Sequence, residues 1–425
     1  MPSVTFSQSS SVPGQEHPSE FCKRLLSEPE TTWHLIGIGG IGVSAVAKLL
    51  LPNKRRVRGS DVRESQITLG LRELGAEISI GQKAENLEGV DVVVLSTAIP
   101  MTNPEVVEAQ RLGLPIVHRS HLLGAFLASY PCAIGVTGTH GKGTVSSSIQ
   151  HVLGAGGQAC DFAIGGLVLN EGTNARATGE NTLVAEVDES DGSLVNICPT
   201  HVVLNNLELD HLNYYDSWEK LESTVLAHIL DNPRLETLYA NEADEGVRRL
   251  LPKVRDAGVR VRTFGLETPE AWLSADQIEP ERLDGGRVGG AMRVCQGDSI
   301  LGRVSVSIPG LYNLSNLLGA LCVALDMGVD FEDARSGMAS FRGLENRFTV
   351  VEAGKHLVVK DYISHPTGIR RVLEGAEHFR ARPIVAVFKP YRFTMIKYLQ
   401  DDYRDAFEKA DHVVITELYT AGEVP

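Results

Sequence analysis

Long apolar runs, paired cysteines and an excess of positive charge are all missing from this sequence. No apolar run reaches about 18 residues, so no helical membrane span is expected. The six cysteines (Cys22, Cys132, Cys160, Cys198, Cys295 and Cys322) lie far apart. None has the CxxC spacing of a zinc or redox site, and a chain this long needs no disulfide scaffold. They read as buried thiols in a reducing compartment. Lys and Arg total 40 against 54 Asp and Glu, a net charge of −14. That excludes coating of nucleic acid or of an anionic membrane through general charge. It leaves room for an anionic ligand, because a few local N–H groups can hold phosphate on an acidic protein. The first 20 residues are polar and lack an apolar signal core, so residues 1–30 are expected to be a loose tail and the protein cytoplasmic. Internal repeats and low-complexity tracts are also lacking.

What is present is 425 residues of ordinary globular composition, 43% hydrophobic and 22% charged. At roughly 100–200 residues per domain, this length predicts two to four domains. Short apolar runs alternate with helical spacing, which predicts an α/β fold with parallel sheets. In 31–130 the expected strands are 34–38, 91–95 and 116–117, with a helix over 43–51. A second unit, 131–340, opens with a strand at 133–136, a glycine-rich turn at 138–144 and a helix at 145–153. Strands at 183–186, 201–204 and 237–240, a β-rich stretch over 255–309 and a helix over 310–327 follow. A third unit, 341–425, offers strands at 384–388 and 412–416 and helices at 369–379 and 403–410. It is short for a doubly wound domain and reads as apparently truncated.

Gly138-Thr139-His140-Gly141-Lys142-Gly143-Thr144 lies between a strand and a helix. Its glycines let successive N–H groups point at phosphate oxygens, and the helix N-terminus adds partial positive charge. Lys142 can reach terminal phosphates. Gly143 stands where Ser or Thr usually follows the lysine, so Thr144 is the nearest hydroxyl for Mg²⁺. The alternative is a glycine turn with an exposed lysine. Gly37–Gly42 also follows a strand and opens a helix. It could bind a dinucleotide or another diphosphate, or merely permit close packing; Asp61, about 20 residues on, could accept from a ribose hydroxyl. An acidic cluster, 184–191, directly follows a strand, which places Glu186 well for Mg²⁺. His211 ends the next such segment and could be a surface residue, a metal ligand or a phosphate contact.

Taken in order, these motifs resemble the Mur ligase family. The resemblance is carried by IGIGGIGVSAVAKLL (36–50), GSD (59–61), STAI (96–99), GTHGKGT (138–144), VAEVDESDGS (184–193), NNLELDH (205–211), PGLYNLSN (309–316), DYISHPT (361–367), FKPYRF (388–393) and LYTAGE (418–423). It implies three domains: a Rossmann-like N-terminal domain for a UDP-sugar, a P-loop central ATPase domain, and an incomplete Rossmann-like C-terminal domain for an amino acid. It implies an ATP- and Mg²⁺-dependent ligase acting on UDP-N-acetylmuramate and L-alanine, without nucleic acid or membrane insertion, as a monomer or homodimer. A ligase for a recycled murein peptide, or a non-catalytic relative that only binds nucleotide or UDP-sugar, are the alternatives. A nicotinamide dehydrogenase would leave the P-loop unexplained.

By matching position, the resemblance gives catalytic roles to Lys142, Glu186, His211, Arg347 and His365. ATP falls to Gly138–Thr144, Asn313, Asn316 and Arg347. The metal falls to Thr144, Glu186 and His211. Substrate falls to Gly39, Gly40, Ile41, Gly42, Asp61, Ser96, His211, Asp361, His365 and Arg392.

Overall fold

The computed structural model describes residues 16–53, 55–210, 214–283, 288–379, 382–420 and 423. The chain opens with helix α1 (Pro18–Leu26), then β1 (Thr32–Ile36), α2 (Ile41–Leu50), β2 (Arg56–Asp61), α3 (Gln66–Glu73), β3 (Glu77–Ile80), β4 (Val92–Leu95), α4 (Pro104–Leu112), β5 (Ile116–His118) and α5 (Arg119–Ser129). Its five strands pair in parallel in the order β3-β2-β1-β4-β5. Every residue of β1 and β4 is buried. Both faces are covered, so these strands read as continuous apolar runs rather than as alternation.

Helix α1 corrects the expected loose tail over its second half, and residues 1–15 lie outside the described residues. Phe21, Cys22 and Leu25 are buried and pack on α5. Their i, i+1, i+4 spacing puts them on one face, and that face is enough to dock an otherwise polar segment. The tail reading rested on polarity alone and missed this stripe.

The second sheet has ten strands. It starts with β6 (Cys132–Thr137), α6 (Lys142–Ala155), β7 (Asp161–Val168), β8 (Thr173–Arg176), β9 (Thr182–Glu186), β10 (His201–Leu204), α7 (Trp218–Leu230), β11 (Thr237–Asn241), α8 (Glu245–Asp256) and β12 (Val261–Leu266). It continues with β13 (Leu273–Arg282), β14 (Val288–Gln296), β15 (Ser299–Val306), α9 (Leu311–Asp326) and α10 (Phe331–Ser340). The order is β15-β14-β13-β12-β11-β10-β6-β9-β7-β8. The middle strands are parallel, and β8, β14 and β15 close the edges antiparallel. One apolar cluster runs without a break from Trp33 and Leu35 of β1 to Leu204 and Leu238 of the central sheet. The other face of that sheet is filled by α6 and α9 through residues such as Val145, Ile149, Leu317 and Leu321.

The C-terminal part is smaller. It contains the hairpin β16 (Thr349–Ala353) and β17 (His356–Lys360), then α11 (Pro366–Glu377), β18 (Val385–Phe388), α12 (Phe393–Tyr398), α13 (Gln400–Asp405) and β19 (His412–Ile415). β18 and β19 pair in parallel. Their core is Ile369, Leu373, Phe388 and Ala406. The helix expected over 403–410 is present only in its first turn, where α13 covers 403–405, and α12 precedes it. Among the described residues no helix is long and apolar enough to cross a membrane.

Candidate active site

The P-loop geometry begins with the end of β6. Gly141 adopts a left-handed φ of 78° and is the N-cap of α6, so the helix starts at Lys142, three residues earlier than its apolar spacing suggests. A Cβ on Gly141 would stand 2.5 Å from Asn316 Oδ1 and 2.9 Å from Asn205 Nδ2. Both the backbone angle and the close approach therefore require glycine. The turn is held from outside by the segment after β10. Asn205 and Asn206 donate from their side-chain amides to the His140 carbonyl, at 3.0 and 2.8 Å. Asn206 Oδ1 accepts from the His140 N–H at 2.7 Å. Asn205 also donates to Asn316 Oδ1 at 2.7 Å, which ties in α9.

Lys142 folds back over its own turn. Its Nζ donates to Glu189 Oε2 at 2.7 Å and to the Gly138 carbonyl at 2.8 Å. Burial works against its charge, but Glu189, Asp188 and Glu186 outweigh that and lift the ammonium above its ordinary value. Lys142 therefore stays a cation in a largely enclosed site. Glu186, at the end of β9, accepts from the Gly165 N–H at 2.8 Å. A Cβ on Gly143 would lie 2.8 Å from Leu344 Cδ1 and 3.2 Å from Glu186 Oε2. The missing side chain at 143 is thus matched by close packing from β9 and from the start of the C-terminal part. Thr144 is nearly buried and borders the same cleft.

The acidic loop after β9 also reaches the first sheet. Asp188 accepts from Arg119 at 3.0 Å. His118 lies 3.6 Å from Asp191. The Arg119 guanidinium lies 3.5 Å from where a Cβ of Gly42 would be. Arg119 thereby sets a positive charge between the two glycine turns.

One cavity of about 1000 Å³ connects these features. Gly40, Ile41, Gly42 and Ser96 border it from the first sheet. Thr139–Thr144, Glu186, Asn313 and Asn316 border it from the second. Arg347, Asp361, His365 and Arg392 border it from the C-terminal part. Gly138 lies just behind, with a φ of 131°.

Two sequence-based expectations need correcting. Gly39 and Asp61 do not border the cavity. Asp61 Oδ2 instead accepts from the Gly39 N–H at 2.9 Å, so its carboxylate braces the glycine turn rather than facing a ribose. The reason is topological: β2 ends beside the turn after β1. Asn313, at the cavity wall, donates from its side-chain amide to the Pro309 carbonyl at 2.7 Å. Asp361 accepts from the N–H groups of Phe348 and Ile363, both at 2.9 Å, and lies 3.9 Å from Arg347. Burial raises its carboxyl pKa, and Arg347 opposes that rise. His211 lies outside the described residues.

Sequence reasoning missed Glu208, Thr367 and Glu189. Glu208 Oε2 lies 3.0 Å from His140 Nε2, and Thr367 Oγ1 donates to Glu208 Oε1 at 2.7 Å. His140, Glu208 and His365 bring ligand-type atoms within 4.8 Å of one another. The motif containing Glu208 was visible, but nothing local showed which of its residues faces the P-loop.

A P-loop on one parallel sheet and a second glycine turn on another, facing one cleft, define a multi-sheet P-loop α/β enzyme. Comparison with known proteins gives the particular group. Residues 32–131 match the model described as Mur ligase family, catalytic domain, and residues 136–324 match the Mur ligase middle domain. The chain belongs to the Mur ligase family. It is 38% identical over 397 residues to the UDP-N-acetylmuramate–L-alanine ligase of Syntrophotalea carbinolica, covering 93% of this chain and 84% of that one. The enzyme of the same name from Geotalea daltonii is 38% identical over 393 residues, 92% of this chain and 84% of its own. Among solved structures, the UDP-N-acetylmuramate–alanine ligase of Thermotoga maritima superposes with a TM-score of 0.79 at 27% identity, covering 92% of this chain and 86% of that one.

Proposed function

We propose that the chain is an ATP-dependent ligase that forms an amide between the lactyl carboxylate of UDP-N-acetylmuramate and L-alanine. The observation that carries this reading is the meeting of the P-loop, the first-sheet glycine turn and Arg347, Asp361 and His365 on one cavity, in a chain 38% identical to enzymes of that name. In this reading residues 31–130 take the UDP-sugar, 131–340 the ATP and 341–425 the amino acid.

A carboxylate is a poor acylating agent at neutral pH. Its attack on the ATP γ-phosphate gives an acyl phosphate and ADP. Lys142, held cationic and close to the turn, offsets charge on the transferring group. Lys142 must release Glu189 or share it to do so. The amine of L-alanine then attacks the acyl carbon, and phosphate leaves. Enclosure by the C-terminal part excludes water, which would otherwise hydrolyse the intermediate.

The residues present fit a hard divalent cation. Glu186 and Thr144 both border the cleft and supply oxygen donors there. His211 joins this set on sequence alone. When bound, Mg²⁺ would supply charge neutralisation at the phosphates. Incubation with ATP, UDP-N-acetylmuramate and L-alanine should give amide and phosphate in equal amounts. Product with a murein peptide but not with L-alanine would assign the other ligase activity. ATP binding without any product would assign the non-catalytic alternative.

A further inference from the structure

Glu208 stands at a junction that the phosphoryl-transfer chemistry does not require. Its backbone is sewn to the P-loop: the Glu208 N–H donates to Thr139 Oγ1 at 2.9 Å, and Thr139 Oγ1 lies 3.0 Å from the Glu208 carbonyl. Its carboxylate takes His140 on one oxygen and Thr367 on the other. Thr367 belongs to the first turn of α11, so the carboxylate joins the P-loop to the C-terminal part. Burial would raise its pKa, but the bonds from His140 and Thr367 and the nearness of His365 bring it down to about 2.

His365 adds a second observation. It is 5% exposed and caps α11, its Nδ1 accepting from the Thr367 N–H at 3.3 Å. That bond leaves the ring proton on Nε2. His365 Nε2 is buried and has no hydrogen-bond partner. A ring nitrogen of His365 lies within 4.8 Å of a Glu208 carboxylate oxygen. The same three side chains are a familiar set for a zinc ion. However, a metal on Nε2 would need the lone pair that the α11 cap places on Nδ1. The geometry favours a donor waiting for an acceptor.

From this we infer that Glu208 is a positioning residue that latches the C-terminal part onto the P-loop. Thr367 and His140 are the engaged donors. His365 Nε2–H, buried and without a partner, is the third, available to the carboxylate as the cleft tightens. The latch times closure over the acyl phosphate. It rests on the ligase reading for its consequence in turnover, but not for its geometry.

The test uses the full chain with Glu208→Gln, Thr367→Val and Thr367→Ser. Each keeps its backbone contacts, and thermal melting verifies folding. The parent should release one phosphate per amide. Thr367→Val and Glu208→Gln should lower kcat about tenfold, the loss of one charge-assisted hydrogen bond. They should also release more phosphate than amide, because water reaches the intermediate. Affinity for a non-hydrolysable ATP analogue should change less than about threefold. Thr367→Ser, which keeps the hydroxyl, should behave as the parent.

Hydrogen exchange supplies a readout that needs no turnover. With Mg²⁺ and the ATP analogue, residues 361–377 should gain protection in the parent and the Ser variant, and not in the Val variant. A phosphate-to-amide ratio of one in every variant, with equal protection, overturns the latch. So does stoichiometric Zn²⁺ binding that Glu208→Gln abolishes. If the parent makes no amide and the protection pattern still follows the hydroxyl, the latch stands and the substrate reading fails.

Discussion

Around the P-loop, Asn205, Asn206 and Glu208 hold the backbone through a set of short polar bonds. In the C-terminal part, by contrast, strand β19 is exposed along its whole length, and Val387, Val413 and Val414 face outward. The two regions solve different problems. Phosphoryl transfer needs groups placed to a fraction of an ångström, and a turn fixed to buried strands supplies that. A closing element must be able to move. In the described residues the C-terminal part has a small core of its own and meets the P-loop through polar contacts such as Thr367 with Glu208.

The largest effect should come from the rigid side. Lys142→Ala should lower kcat at least about 10³-fold while the circular dichroism spectrum keeps its native form. It also strips a buried partner from Glu189, so stability should drop by about 3 kcal/mol in urea unfolding. Lys142→Met combined with Glu189→Gln should recover stability but not turnover. Recovery of turnover would contradict the role given to the lysine.

A pair of aromatic truncations sharpens the contrast. Phe264 is fully buried in the central core. Phe264→Ala should cost about 3–5 kcal/mol and shift the main unfolding transition. Phe388, in the small C-terminal cluster, should behave differently on truncation to Ala. The main midpoint should barely move, while residues 385–415 exchange amide hydrogens faster. Equal shifts of the main transition in both variants would erase the distinction between the two regions.

Acid should loosen the junctions in a definite order. His118 is held neutral by burial, its pKa lowered to about 3 from an ordinary 6.5, with Arg119 adding to the effect. Its contribution is present above pH 6.5 and lost progressively as pH falls toward 3. Glu208, lowered from 4.5 to about 2, keeps its contribution above pH 4.5 and loses it as pH falls toward 2. Hydrogen exchange at pH 5.5 should show loosening around 118–121 while the 361–377 contact to the P-loop persists. The reverse order would refute the linkage.

The smallest effect concerns Thr144. Thr144→Ala should raise the Mg²⁺ concentration for half-maximal rate about three- to tenfold if its hydroxyl replaces the one missing at 143. An unchanged Mg²⁺ dependence would leave the metal to Glu186 and His211.

How much was legible varies by element. Strand β4 and the strand–turn–helix of the P-loop could be read directly, because apolar runs and glycine spacing are local signals. Helix α1 was hidden in a polar stretch, since three buried apolar residues in nine are a weak stripe. The role of Asp61 was misread: spacing along the chain gave its distance from the glycine turn, but not the direction of its carboxylate.

The sequence by itself determined the α/β class, the two glycine turns, the acidic strand end beside the P-loop and the family they resemble. Each depends on residues near one another in the chain. Only the tertiary structure decided that Asp61 braces its turn, that Gly143 makes room for Leu344 and Glu186, and that Glu208 joins His140 to Thr367. Those contacts link residues up to 201 positions apart, from Gly143 to Leu344. Their geometry is set by which strands lie side by side, and no local pattern encodes that.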